Sequence, residues 1–477
     1  MINRRQSTEY NGIWRLPTAP ADEPGIHGIL RYTPHEGFEL EVIGSFFDLP
    51  ESLLSPHTPI IIQGTSSEGE NITLYKCYGS NTSFGSTFFG SHFQTSKYKP
   101  LYVFIGAHFG KEPAFNKLFI NYSYLDEWVN ISGFDFLLPG DGEEFSIKYK
   151  LPEDVTITLD ENYDLTITHS VHGPNFNMVQ KKSCIEQITY IMISSKDETP
   201  IAKYHDLIIK IRNFLSFGVG RPVYPLAISG RSEEYATVYN GKKIYKELEI
   251  YSNNKELPDE VEPITPPDMF FIFKDISKSF EIFVRNWFNR SKVLSPVFDL
   301  YFSNVYTPEM YVETRFLNAV QAIESYHRRK ETTKEFDITP EEHSERMKKI
   351  MSSAPIEHMS WLSTKLKYSN EVYLKKRLEE ILSFHADIAE IYIGNKNQQT
   401  KFINKVVANR HYLTHFDKDK EAERADGKTL SILIEQLNLI IKSCLLEEIG
   451  MSQSEIKTIL ERYKAKTFLS WNFISWD

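Results

Sequence analysis

The sequence predicts an α+β, multidomain protein. A β-rich, antiparallel, sandwich-like N-terminal domain is expected over residues 1–270, and an all-α helical bundle over residues 271–477. Three observations carry this expectation. Up to about residue 195, short runs of β-branched and aromatic residues alternate with polar ones. From about residue 272 onward, apolar residues recur instead at three- and four-residue steps. Between the two patterns lies "NNKELPDEVEPITPPDM", which is polar, acidic and Pro-rich and marks the main boundary.

The strand candidates come first: "GFELEVIGSF", "PIIIQG", "NITLYKCY", "LYVFIGAHF", "FSIKYKL", "DVTITLD" and "DLTITHS". Gly, Asn, Asp and Pro punctuate them, as the turns of an antiparallel sheet require. A helix is expected near 201–216, where Ile201, Tyr204, Leu207, Ile208, Ile211, Phe214 and Leu215 share one face. The Gly and Pro of "GVGRP" stop it. A hairpin is expected near 235–251, because Asn240-Gly241 separates two strand-like runs. Beyond the boundary, successive periodic segments run from "ISKSFEIFVRNWFNR" to "QSEIKTILERY", joined by short loops as in an antiparallel bundle. There is no internal repeat.

A chain of 477 residues can bury two or three cores. With 41% hydrophobic and 25% charged residues, it is neither a disordered tail nor a coiled coil. The most apolar run, "LSILIEQLNLIIKSCLL", is interrupted by Glu435, Gln436 and Lys442, so no membrane span is expected. "MINRRQSTEYNGIW" lacks the apolar segment of a secretory signal, and the expectation is a soluble, cytoplasmic protein. Cys77, Cys184 and Cys444 have no paired spacing, which argues against a disulfide framework or a Cys-based zinc site. A net charge of −10 argues against coating by nucleic acid through bulk electrostatics, but it leaves room for a local basic site handling one RNA.

The chemistry-bearing cluster is "NKVVANRHYLTHFDKDKEAERADGKT", residues 404 to 429. At about 100° per residue, Phe402, Ile403, Val406 and Leu413 fall on one side of a helix, with Val407 at its edge. Arg410 is expected in the middle of that side. A guanidinium there must snorkel, pair with a carboxylate or reach a site open to water. His415 is five residues later, roughly 140° around and about 7.5 Å along. Arg410 and His415 therefore converge on one substrate only if the helix frays near its end, or if a second protomer completes the site.

Other readings of this stretch are weaker. His411 and His415 are four apart, a metal-ligand spacing, yet Tyr412 follows the first where a zinc-protease motif has Glu, and no third ligand stands out. No metal and no cofactor is expected. The "GKT" at Gly427–Thr429 has Ala422 where a phosphate loop needs glycine, and "GVGRPV" lacks the third glycine of a dinucleotide fingerprint. No carboxylate pair of a glycosidase can be assigned from spacing. What Arg plus His can do is cleave RNA. The histidine moves a proton near neutral pH, the arginine holds the phosphate, and RNA supplies its own 2′-OH nucleophile.

Arg410-His411-Tyr412-Leu413-Thr414-His415 resembles the R-x(4–6)-H motif of the HEPN ribonuclease superfamily in its four-residue-spacer form. The helix "ETRFLNAVQAIESYHRR" looks like the first core helix of HEPN domains, with Phe316, Val320 and Ile323 as its buried stripe, Glu324 at the edge and His327 following. "IIIQGTSSEGENITLYKC", "YLDEWVNISGF" and "NFLSFGVGRPVYPL" resemble the N-terminal domain attached to Apea-like HEPN domains. Together these stretches are similar to the ApeA-like family of bacterial anti-phage defence proteins. The resemblance implies a metal-independent endoribonuclease, a toxin of abortive infection whose substrate is RNA. It implies Arg410, His415 and Glu324 as catalytic residues, with Glu324 the carboxylate that pairs with Arg410, and His411, Asn409 and Thr414 as substrate contacts. It also implies a homodimer with a composite site and an N-terminal domain that senses a phage-derived trigger. His411 stands where many HEPN proteins carry a small polar residue, often Asn, so whether it assists catalysis or only packs stays open. Lys418 and Lys420 either meet RNA phosphates or belong to a solvated loop. The alternative is a catalytically inactive HEPN scaffold whose β-domain binds a ligand or partner protein.

Overall fold

A computed structural model of the chain describes residues 6–20, 22–34, 36–47, 59–86, 92–137, 145–253, 261–330, 337–416, 421 and 424–467. It divides into two compact units, Met1–Glu281 and Ile282–Asp477.

The N-terminal unit begins with β1 (Thr8–Arg15), β2 (Ile26–Thr33), β3 (Gly37–Ile43), β4 (Ile60–Ser66), β5 (Asn71–Ser86) and β6 (His92–Lys99). These six pair antiparallel in the order β5-β4-β1-β2-β3-β6, and β6 returns to β5, so they close into a ring. Strict alternation builds it. In β3, Phe38, Leu40 and Val42 point inward to the core formed with Trp14, Leu30, Ile62, Ile72 and Leu74. The intervening Glu39 and Glu41 face outward and pair across strands, Glu39 with Lys97 at 2.8 Å and Glu41 with Arg31 at 2.7 Å. Trp14 fills the ring interior and donates its indole N–H to the Gly28 carbonyl at 3.1 Å. It packs flat on Gly64, where a Cβ would lie 2.2 Å from Trp14 Cε3.

One edge of the sixteen-residue β5 pairs with β4, and the other serves two partners. Tyr78–Ser86 pairs with β6 inside the ring, while Ile72–Tyr75 pairs with β7 (Tyr102–Ile105) and carries the sheet onward. Lys76, with φ 53°, marks the change of direction. The remaining strands are β8 (Ala114–Tyr122), a small hairpin of β9 (Phe134–Leu137) and β10 (Ser146–Tyr149), β11 (Val155–Thr158), β12 (Tyr163–Asn177), β13 (Lys182–Pro200) and β14 (Pro225–Arg231). Next come β15 (Ala236–Tyr239), β16 (Lys242–Tyr245) and β17 (Leu248–Ser252). The open part of the sheet runs β5-β7-β17-β14-β8-β13-β12-β11, so the expected sandwich-like layering takes the form of one thirteen-stranded sheet closed on itself at one end. The Asn240-Gly241 turn joins β15 to β16 with positive φ at both residues, as the spacing of that hairpin demands.

Among the described residues, three α-helices complete the unit: α1 (Leu125–Val129), α2 (Ile201–Val219) and α3 (Phe273–Ile276). Helix α2 lies on the open sheet, tied by Tyr204 Oη donating to the Phe115 carbonyl at 2.9 Å and Tyr122 Oη donating to the Ile208 carbonyl at 3.1 Å. It runs three residues past the expected end and stops at Gly220 in the left-handed region. Phe271 and Phe273 pack around Trp128 together with Phe214, so the chain beyond the Pro-rich segment still belongs to this unit.

The C-terminal unit is helical. Its helices are α4 (Phe280–Val293), α5 (Ser295–Tyr306), α6 (Val312–Arg329), α7 (Pro340–Ser353), α8 (Met359–Leu366) and α9 (Leu374–Phe384). Then follow α10 (Ala386–Tyr392), α11 (Lys396–His415), α12 (Gly427–Glu448) and α13 (Gln453–Thr467). Helix α6 is central and packs against α5, α9, α11 and α12. Helix α12 is long and apolar enough to cross a membrane by length and composition only, and 67% of that window is buried, as in a core helix, which leaves the expectation of no membrane span standing.

The packing of Trp14 gives the first prediction. Gly64→Ala destabilises the N-terminal unit by about 1–3 kcal/mol, because the ring behind it has no room to move. Gly79→Ala in β5, with nothing within 4 Å of its added Cβ, stays within roughly 0.5 kcal/mol. Denaturant unfolding of the two variants measures the difference.

Candidate active site

Helix α11 starts under an Asn395 cap, whose side chain accepts the N–H groups of Asn397 and Gln398 at 3.0 and 3.1 Å. It stays helical through His415. Its buried residues near the end are Phe402, Ile403, Val406, Asn409, Tyr412 and Leu413. Burial of Asn409 and Tyr412 rotates the centre of the buried stripe away from Arg410. Arg410 therefore lies at the flank, not in the middle of the core-facing side, and its side chain is 38% exposed. Of the ways such a guanidinium can be satisfied, pairing with a carboxylate is the one observed. Arg410 Nη2 is 3.7 Å from Glu324 Oε2 on α6.

Helix α6 buries Phe316, Ala319, Val320, Ala322, Ile323, Tyr326 and His327, and Glu324 sits at the edge of that face. His327 is fully buried three residues on, where an imidazole must be hydrogen-bonded at both nitrogens. Its Nδ1 accepts from Arg377 Nη1 at 3.1 Å and its Nε2 donates to Glu380 Oε2 at 2.7 Å, both from α9. Arg377 is 1% exposed and also donates from Nε to the Val372 carbonyl at 2.7 Å. Burial pushes the His327 imidazole below its ordinary value and Arg377 acts the same way, while the Glu380 hydrogen bond opposes them. A neutral ring with the proton on Nε2 fits both contacts. Burial likewise lowers the Arg377 guanidinium, as does Arg328, against the opposing charge of Glu324.

The other predicted residues separate into two groups. His411 and His415 lie one turn apart, ring centroids 4.8 Å from each other, and His415 is exposed at the last position of the helix. Thr414 is exposed beside them and donates its hydroxyl to the Arg410 carbonyl at 2.7 Å. Asn409 is not in the site. It is buried, its Nδ2 donates to the Lys405 carbonyl at 2.8 Å, and its Oδ1 accepts the Ala425 N–H at 2.7 Å. It ties the chain entering α12 to α11. Lys418 and Lys420 lie outside the described residues.

Several neighbours were not singled out from the sequence. Phe416 caps α11 in the left-handed region, φ 49°, at a cost of roughly 1–2 kcal/mol for a residue with a Cβ. Arg424 pairs with Glu313 at 3.2 Å and lies over the Tyr412 ring. Arg377 had a readable signal, a charge standing among Leu374, Leu378, Ile381 and Leu382 on the buried face of α9. Its partner His327, fifty residues away, was legible only as the residue that follows the buried stripe of α6, not as a partner of Arg377.

Residues 9–287 match the family model of ApeA N-terminal domain 1, and residues 317–455 match that of the Apea-like HEPN domain. The second match contains Glu324, Arg410, His411 and His415. No curated protein and no solved structure matches.

The two arginines differ sharply in what they hold. Arg377→Ala strands His327 Nδ1 and the Val372 carbonyl and leaves Glu380 facing a misplaced ring, costing roughly 3–5 kcal/mol. Arg410→Ala removes a half-exposed ion pair and costs about 1 kcal/mol or less. Chemical denaturation followed on a probe in the helical unit compares them.

Proposed function

The chain belongs to the ApeA N-terminal domain 1 family and carries an Apea-like HEPN domain, and from that premise we propose that it is a metal-independent endoribonuclease, the effector of a bacterial anti-phage, abortive-infection defence. A HEPN domain in such a chain fits a nuclease and defence role. The finer reading rests on one observation: among the described residues Arg410 pairs with one carboxylate, at 3.7 Å, at the solvent-reaching flank of a helix that ends in exposed His415. A guanidinium has five N–H donors. Glu324 orients Arg410 while leaving donors for a phosphate.

The reaction is a transesterification within RNA. A base takes the proton of the 2′-OH, the 2′-oxygen bonds to phosphorus, the P–O5′ bond breaks, and an acid protonates the departing 5′-oxygen. The products end in a 2′,3′-cyclic phosphate and a 5′-OH. His415 serves as base or acid, Arg410 offsets the charge on the phosphoryl oxygens, and Glu324 fixes Arg410. His411, one turn from His415, lies on the same substrate-facing arc.

Helix α11 is intact to His415, which disfavours a route that needs it to fray. HEPN domains typically dimerise, and a second copy facing the first brings His415 of one chain to Arg410 of the other. The β-rich N-terminal unit is the sensor of a phage-derived trigger and restrains the nuclease until the trigger is met.

Arg410→Ala and His415→Ala each lower RNA cleavage by about 100-fold or more while circular dichroism stays unchanged and melting shifts by about 4 °C at most. Cleavage by the unaltered chain persists in excess chelator, and mass spectrometry of the fragments finds cyclic phosphate ends. Full cleavage by the His415→Ala protein removes this assignment; absence of cleavage by any form favours a silent HEPN scaffold.

A further inference from the structure

Beside the polar end of α11 stands an aromatic residue that the chemistry above does not use. At about 100° per residue, Arg410, Thr414, His411 and His415 form a continuous arc of about 140° around the helix. Tyr412 and Phe416 come next, on the His415 side of that arc. Phe416 directly follows His415, and it is 67% exposed. Its ring stands edge-on to Tyr412, centroids 5.9 Å apart and planes at 66°. Tyr412 is itself buried and lies 5.9 Å from the Arg424 guanidinium, which Glu313 holds at 3.2 Å. The phenyl ring thus has a fixed backing on one side and solvent on the other.

The fold does not require a phenyl ring there. The cap position has φ 49°, where glycine is the usual residue because it carries no Cβ. A glycine would relieve the backbone and remove exposed apolar surface in one change. Strain and exposure combined at one residue, adjacent to the proton-transferring histidine, point to a ligand that covers the ring.

We infer that Phe416 is a nucleobase-stacking platform, a subsite for the unpaired RNA base next to the phosphate handled by Arg410 and His415. The inference rests on the reading of Arg410 and His415 as RNA-cleaving residues. Unpaired bases splay onto aromatic faces, and every base offers a π-face, so such a platform selects single strands over duplexes without selecting a sequence. It also fixes the nucleotide beside His415, which brings the 2′-OH and phosphate into line.

The test measures binding apart from cleavage. The probes are short single-stranded oligonucleotides of fully 2′-O-methylated RNA, which have no free 2′-OH to react, and the same sequences as blunt duplexes. Phe416→Ala and Phe416→Gly weaken single-strand binding by roughly 5- to 100-fold, the worth of one base–aromatic stack, and leave duplex binding unchanged. Phe416→Trp keeps the affinity, and its added indole fluorescence is quenched by the single strand. Phe416→Gly melts no lower than the unaltered chain, so its loss of binding is not loss of fold. Unchanged single-strand affinity in Phe416→Ala overturns the inference, as does an equal loss on duplexes. A change of oligomeric state with RNA affinity intact also overturns it, assigning the ring to contact between copies. The parent reading fails separately, by full cleavage in His415→Ala, while the binding series still decides Phe416.

Discussion

The position of the candidate site depends on how the chain satisfies a fully buried imidazole. Helix α6 is enclosed by four others, so His327 must find both of its partners inside protein. Arg377 and Glu380 supply them from one face of α9, and the Val372 carbonyl holds Arg377 in turn. This closed set of hydrogen bonds fixes α6 against α9 three residues from Glu324. Further along, Tyr326 Oη donates to Glu448, which also receives Arg290, and Lys330 reaches Glu447. The C-terminal half of α6 is therefore pinned on several sides, and Glu324 inherits that fixity. Buried, fully satisfied polar networks are costly to break. The half-exposed pair of Glu324 with Arg410 is not. The rigidity lies under the site, and the arginine at its surface is left cheap to move.

The same division of labour governs the end of α11. Asn409, the buried amide, is committed to backbone groups on both of its faces, and it sets where the chain enters α12. Asp426 then caps α12 by accepting the Thr429 N–H at 2.8 Å. In α12, some polar groups inside a strongly apolar helix meet particular neighbours, while Gln436 Oε1 and Asn438 Oδ1 are buried with no hydrogen-bond partner among the described residues. Gln436 Nε2 donates to the Tyr392 carbonyl at 3.2 Å, and Lys442 Nζ lies 4.8 Å from the Tyr463 ring centroid. By length and mean hydropathy that helix passes for a membrane span, but 67% of its apolar window is buried, as in a core helix.

Local patterns were legible where the local rule decides the outcome. The alternation of "GFELEVI" gave β3 with its glutamates outward, the Asn240-Gly241 pair gave its hairpin, and three- and four-residue steps gave α2 and α6. Closure of the ring was not legible, because it depends on β5 dividing one edge between β6 and β7, a choice made by register and not by propensity. The Pro-rich segment marks where strands give way to helices, but the aromatic packing of Phe271 and Phe273 on Trp128 extends the N-terminal unit beyond it. Arg410 shows the limit most clearly. The residues Phe402, Ile403, Val406 and Leu413 alone put it at the centre of a buried stripe. Only the burial of Asn409 and Tyr412, which no hydropathy scale anticipates, moves it to the flank. Glu324 was legible as a stripe-edge carboxylate, the resemblance named it as the partner of Arg410, and the ion pair between α6 and α11 is the one observed.

The five-residue step between Arg410 and His415 then acquires a physical meaning. On a regular helix it separates the two side chains by about 140° around and about 7.5 Å along the axis. That separation favours a phosphate gripped by the guanidinium of one helix and serviced by the imidazole of another over one handled within a single helix that unwinds. Unwinding would break the Phe416 N–H to Tyr412 carbonyl bond at 2.6 Å and the Thr414 hydroxyl bond to the Arg410 carbonyl. Two α11 helices facing each other meet the same requirement without breaking either. In the proposed reading the regular helix is therefore what makes the site composite. Each copy contributes an arginine steadied by Glu324 and receives a histidine from the other, so activity follows association. A sensor that controls the approach of two copies then controls the nuclease without altering a single catalytic side chain.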